Sequence, residues 1–216
     1  MVWQVRWLPS SDTGSLLFWF RAVCLLGAVM VMSATTGLAE SHRIYIGTYT
    51  EGTSSDGIYT CLVDDTTGQL SDPVLAVETV NPSFLAIHPT RSLLICCNEV
   101  NEFQGKAQGA LSVFRIDQES GRLEFINQQP TGGAAPCHLM IDATGRFVIT
   151  TNYFGGSTTV MPIGDNGSLD PACCFIQHEG TGPNEQRQEM AHAHSVNLSS
   201  DNQFAYVADL GACLLY

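Results

Sequence analysis

Three segments of this chain read alike. Residues 85–95 (LAIHPTRSLLI), 139–149 (LMIDATGRFVI) and 196–206 (VNLSSDNQFAY) are each a short apolar run, a polar turn and a second apolar run, with starts 54 and 57 residues apart. Thirteen positions after each start come Asn98, Asn152 and Asp209. A second series, Thr67-Gly68-Gln69-Leu70, Ser120-Gly121-Arg122-Leu123 and Asn166-Gly167-Ser168-Leu169, supplies hairpin turns, each following an apolar strand. A full repeat therefore holds four antiparallel strands, in the second repeat over residues 137–141, 147–152, 158–163 and 169–177. Four-stranded units at this period are the blades of an all-β propeller. The alternation and the 20 glycines exclude helical repeats, and four-stranded meanders do not suit a solenoid.

Strand phase also counts the blades. Residues 43–49 match the second strand of a blade, because Gly47-Thr48-Tyr49 falls on the Asn152-Tyr153 position. The first blade then lacks its innermost strand, and the last is entered only as far as its third strand at Tyr216. The expectation is at most three and a half blades, the N-terminal half of a longer ring. Its open blade edges would invite self-association.

The first 39 residues read as a signal peptide. An apolar run over residues 22–32 follows Arg21 and is too short to span a bilayer, and Gly37-Leu38-Ala39 offers a cleavage site. This predicts an exported protein, periplasmic or secreted, with its propeller portion over residues 40–216 and no membrane span after cleavage. An uncleaved anchor is the alternative. The net charge of −12 excludes the cationic footprint that nucleic acid selects, and it disfavours anionic lipid. Of eight cysteines, seven follow the cleavage site, with no CxxC spacing. They fit neither a zinc signature nor a disulfide framework, and most read as small buried hydrophobes, although export leaves room for a disulfide. Cys96 and Cys97 must point to opposite faces of a strand.

The same phase sorts residues by rim. The start of each innermost strand, the end of each second strand and the long connections between blades share one rim. That rim gathers Phe84, His138, Tyr153, the pair His192 and His194, and the connection 179–191 with Arg187. Arg91, Arg122 and Arg146 fall in turns of the other rim. Successive blades bring Phe84, His138 and, one residue out of phase, His194 to equivalent places around a central channel. For the His192–His194 pair three readings stand: acid–base or oxyanion work, which is favoured, structural hydrogen bonding, and a metal site lacking any fixed-spacing signature. Arg187 suits an anionic substrate or an oxyanion, or else pairs on the surface with Glu185 or Glu189. His88 and His178 read as structural, and His42 as near a terminus.

These residues also carry a resemblance. YIGTYT (45–50), NPSFLAIHP (81–89), APCHLMIDATGRF (135–147), TNYFGGS (151–157) and QRQEMAHAHSV (186–196) resemble the lactonase family of seven-bladed propellers, which includes the bacterial 6-phosphogluconolactonase type and the fungal carboxy-muconate lactonising enzyme. The resemblance implies chemistry on a lactone ester with no required metal or other cofactor. It places the catalytic groups at His138, Arg187, His194 and Asp209. His192, Asn152 and Glu99 are the candidate substrate-binding residues. The chain departs from the family's pattern at Ala191, where proline is usual, and at Cys213, where a second acidic residue is usual. The leading expectation is a lactone hydrolase in which His138 or His194 activates water, Arg187 stabilises the oxyanion, and Asp209 orients an imidazole. The alternatives are a lactonising or isomerising enzyme acting on an unsaturated dicarboxylate, and a non-catalytic exported propeller fragment.

Overall fold

The structure is a computed structural model, and it describes residues 41–216. The signal-peptide reading of residues 1–39 lies outside the described residues.

Fourteen strands form four antiparallel meanders among the described residues. The first sheet holds β1 (Ser41–Ile46), β2 (Gly57–Asp64) and β3 (Val74–Glu78). The second holds β4 (Pro82–Ile87), β5 (Leu93–Asn98), β6 (Ala110–Ile116) and β7 (Leu123–Pro130). The third holds β8 (Pro136–Ile141), β9 (Phe147–Asn152), β10 (Ser157–Pro162) and β11 (Cys174–Gln177). The fourth holds β12 (Ala193–Leu198), β13 (Ala205–Asp209) and β14 (Leu214–Leu215). Within each sheet the strands follow one another in sequence order, so every connection is a hairpin and every sheet is a blade. The innermost strands β4, β8 and β12 stand side by side.

The core lies between blades. Strand β5 is buried along its whole length because both of its faces are covered. Leu93, Ile95 and Cys97 point into the layer shared with the third sheet, where Leu139, Val148 and Met161 meet them. Leu94 and Cys96 point into the layer shared with the first sheet, against Tyr45, Ile58 and Phe114. Alternation along one strand thus feeds two cores, and it sends the adjacent thiols to opposite faces as expected. Burial pushes the Cys96 thiol up to about 12 and holds Cys97 well above its ordinary value. The seven described cysteines are all unpaired.

The hairpin glycines Gly68, Gly121 and Gly167 all adopt positive φ, between 70° and 88°, as turns of this kind require. One boundary differs from expectation. The outer strand of the third sheet begins at Cys174 rather than at 169. Leu169 makes an isolated bridge to Ile163 and the Asp170 N–H still reaches the Pro162 carbonyl at 3.0 Å, but Pro171, with no N–H to give, then interrupts the ladder. In the first sheet β1 occupies the second-strand place, and among the described residues it pairs only with β2.

Each innermost strand also carries a bulge at one shared point. The register shifts between Pro82 and Leu85, between Pro136 and His138, and between Ala193 and Ser195. A bulge re-aims the side chain it carries. The extra residues are Ser83 with Phe84, Cys137, and His194, and all of them reach the central cavity.

Candidate functional site

That cavity has a volume of about 760 Å³ and opens on the rim where the innermost strands begin. Three parts of the repeat build it. The bulges supply the residues just named. The exits of the second strands supply Tyr49, Glu99 and Tyr153, one from each of three successive sheets. The connection from β11 to β12 supplies Arg187, Glu189 and His192.

The connection is held in shape by Gln188. Its side-chain amide donates to the Leu210 carbonyl at 2.8 Å and accepts from the Asn184 N–H at 3.0 Å, while its backbone N–H reaches the Asn184 carbonyl at 2.7 Å. Arg187, braced in the same turn, donates to the Tyr153 hydroxyl at 3.3 Å. It therefore engages the cavity's aromatic wall, not Glu185.

His192 is almost fully buried, at 2 % exposure. Its Nδ1 lies 3.0 Å from the Tyr153 carbonyl and its Nε2 lies 3.2 Å from Glu189 Oε1. Both neighbours are acceptors, so each ring nitrogen has a partner in the protein. The Glu189 backbone N–H, His192 and Arg187 hold the Glu189 carboxyl below the usual carboxylate range. The His192 ring also stacks on Tyr153, with centroids 4.6 Å apart and planes 13° from parallel. With both nitrogens engaged, His192 positions Tyr153 and Glu189 and has no ring nitrogen left for a substrate.

His194, two residues on, is exposed and lines the cavity, with its ring edge-on to Tyr153 at 5.6 Å. His138 lies beneath the cavity wall, its ring 4.1 Å from that of Phe84. Burial, aided by the nearby His194, lowers its pKa to about 4, so the ring is neutral near pH 7. Its Nδ1 accepts the Val196 N–H at 3.3 Å, which puts the proton of the neutral ring on Nε2. This arrangement leaves His138 with a donor at Nε2, and of the two expected candidates for activating water, His194 is the one that lines the cavity.

Asp209 does not reach the cavity. Its carboxylate is 3 % exposed and fully engaged: Oδ1 accepts the N–H groups of His192 and Ala212, each at 2.8 Å, and Oδ2 meets His178 Nδ1 at 2.8 Å. Burial raises its pKa, but these three donors outweigh that and hold it below the usual range. His178 in turn meets the Thr158 hydroxyl at 3.0 Å. Asn98 and Asn152, which share Asp209's place in the repeat, are buried clamps as well. The Asn98 amide donates to Thr79 and to the Val80 carbonyl in the connection from the first sheet. The Asn152 amide donates to Ser157 and Thr159, and Thr159 ties back to the Thr131 carbonyl. Asn152 and Asp209 therefore brace the blades and do not line the cavity; Asp209 orients an imidazole, but it is that of His178. Glu99 does line the cavity, accepting a hydrogen bond from Tyr49 at 2.8 Å.

The structure thus brings Arg187, His194 and Glu99 together at one cavity, sets His192 in its wall with His138 beneath, and leaves Asn152 and Asp209 outside. From the sequence, Tyr49, Tyr153 and Gln188 carry no assigned role, and Glu189 enters only as a surface partner for Arg187. The equivalence of Gly47-Thr48-Tyr49 with Asn152-Tyr153 was a usable signal for the two tyrosines. Among the described residues no three His, Cys, Asp or Glu side chains are grouped to hold a metal ion.

The family model for the lactonase, seven-bladed β-propeller, matches residues 43–216. The chain is 36 % identical to the 6-phosphogluconolactonase of Bacillus subtilis over 172 residues, covering 80 % of this chain and 47 % of that protein. It is 29 % identical to the 6-phosphogluconolactonase of Formosa agariphila, covering 78 % and 47 %. Among solved structures, the periplasmic gluconolactonase of Pseudomonas aeruginosa superposes with a TM-score of 0.74 at 33 % identity, covering 82 % of this chain and 49 % of that one. The chain spans about half the length of the curated relatives it matches.

Proposed function

The chain belongs to the lactonase family of seven-bladed β-propellers, and from that premise we propose that its cavity opens a sugar-acid lactone by hydrolysis. One observation carries the reading: a histidine, His194, and a guanidinium, Arg187, share one concave wall, the first edge-on to the Tyr153 ring and the second donating to its hydroxyl. Hydrolysis of a lactone needs a base for the attacking water and positive charge where the carbonyl oxygen becomes an oxyanion. His194 is the base, since its ring reaches the cavity, whereas His138 lies beneath the cavity wall and both ring nitrogens of His192 have partners in the protein. Arg187 stabilises the oxyanion. The Tyr153 hydroxyl, already accepting from Arg187, holds a proton that it can pass to the departing ring oxygen. His138, with its proton on Nε2, supports the site as a neutral donor.

The test is the steady-state rate of lactone hydrolysis by the intact protein, above the spontaneous rate. Arg187→Ala and His194→Ala each lower kcat/KM by about 10²–10³-fold, the usual cost of removing an oxyanion donor or a general base. Unchanged rates in both would overturn the proposal. Ring closure of an unsaturated dicarboxylate, in place of ring opening, would assign the same residues to lactonisation. Export through residues 1–39 belongs to the same proposal. It predicts a mature N-terminus near residue 40 in protein recovered from outside the cytoplasm.

A further inference from the structure

The two walls of the cavity differ in chemistry. The wall built from the start of β12 and the connection before it carries His194, Arg187 and Glu189. The opposite wall, from the first and second sheets, carries hydroxyl side chains (Thr48, Tyr49, Thr53, Ser55) and the Glu99 carboxylate, with no cation. At its centre the Tyr49 hydroxyl donates to Glu99 Oε2 at 2.8 Å. Burial and the Glu99 contact raise the Tyr49 pKa, so the phenol keeps its proton and goes on donating to the carboxylate. That single donor is therefore consumed internally. What the pair offers a ligand is acceptors: the lone pairs of the Tyr49 oxygen and the uncommitted lone pairs of the carboxylate, side by side.

Two adjacent acceptors match two donors on neighbouring carbons. A vicinal diol presents such a pair, whereas a methylene chain presents none, and a phosphate or carboxylate presents only further acceptors and negative charge. From this geometry we infer that Tyr49 and Glu99 form a hydroxyl-selecting subsite that takes the polyol end of the lactone. Arg187 takes the end bearing the carbonyl or any anionic group. The inference rests on the lactone reading for the orientation of the substrate, but not for the presence of the subsite. The residues are positioned by the repeat itself: Tyr49 and Glu99 leave the second strands of adjacent blades, which sets them next to each other across the blade boundary.

The test separates binding from turnover. Calorimetry on the intact protein compares a polyhydroxylated δ-lactam, which resists hydrolysis, with unsubstituted δ-valerolactam. The wild-type protein binds the polyhydroxylated ring more tightly, and Glu99→Gln and Tyr49→Phe each shrink that ratio by about 10- to 100-fold, as expected for lost hydrogen bonds to a charged group or its partner. Thermal melts confirm that both variants fold, and Tyr49→Phe keeps the ring and removes only the hydroxyl. An unchanged ratio in both variants, equal affinity of the wild type for the two lactams, or no binding of either would overturn the inference. Selective binding that depends on Glu99 in a protein that opens no lactone would leave the subsite standing and overturn the hydrolase reading instead.

Discussion

Strands β5 and β13 occupy the same place in their blades, yet one is buried at every residue and the other is mostly exposed. Ile95 is 0 % exposed, while Tyr206, its counterpart in the repeat, is 45 % exposed. Phe204, Leu214 and Leu215 are exposed on the same sheet. The two strands are read identically from sequence, and both fold as second strands. They differ in what lies against them. Strand β5 sits between two sheets, whereas among the described residues the fourth sheet is packed on one side only. In a radial array of blades, burial belongs to the pair of neighbours and not to the blade, so propensity and pattern set the strand while adjacency sets its energy.

Four measurements would break or sharpen that comparison. The largest expected effect is at a blade junction. Asp209→Ala strips the acceptor from two backbone N–H groups and from His178, all buried, and costs about 3–5 kcal/mol in urea unfolding. A loss under about 1 kcal/mol would show that the clamp does not hold the junction. Next, Ile95→Ala in the doubly covered strand costs about 2–5 kcal/mol by the same measurement, as large-to-small changes in packed cores do. The third effect is a change with pH. The His138 pKa falls from 6.5 unfolded to about 4 folded, so below pH 6.5 the unfolded chain takes up a proton that the folded chain refuses. Stability therefore falls as the pH drops from about 6.5 to about 4, and His138→Gln flattens that part of the melting-temperature profile relative to wild type. Matching profiles would place the titrating group elsewhere. The smallest effect is at the exposed counterpart: Tyr206→Ser changes stability by about 0.5 kcal/mol or less. A cost equal to that of Ile95→Ala would mean that the outer face of the fourth sheet is covered in solution.

The fold was more legible than the site. Repetition exposed four-stranded blades, their order and the hairpin turns at Gly68, Gly121 and Gly167, because each depends on residues close together in sequence. The opposite facing of Cys96 and Cys97 followed from alternation alone. What was missed came from partners brought together by the ring. Nothing near His192 announces that the Tyr153 carbonyl lies 3.0 Å from its Nδ1 while Glu189 occupies Nε2, so the readings left open for this histidine could not be separated from sequence. Asn152 and Asp209 sit at the correct rim, but they turn into the junction between blades, a distinction that depends on the neighbouring blade's connection. The tautomer of His138 was not readable because its Nδ1 partner is Val196, 58 residues away. The shortened β11 was readable, since Pro171 stands in the sequence where the ladder stops.

The shared bulge has a further consequence. An extra residue at one fixed point breaks the parity of the strand, so the side chain placed there is exempt from the rule that assigns its neighbours to one core or the other. Ser83, Cys137 and His194 hold that address in three successive blades, and they are a hydroxyl, a thiol and an imidazole with no packing requirement in common. The ring can therefore change what it offers a ligand, one blade at a time, while every core-facing residue stays as it is.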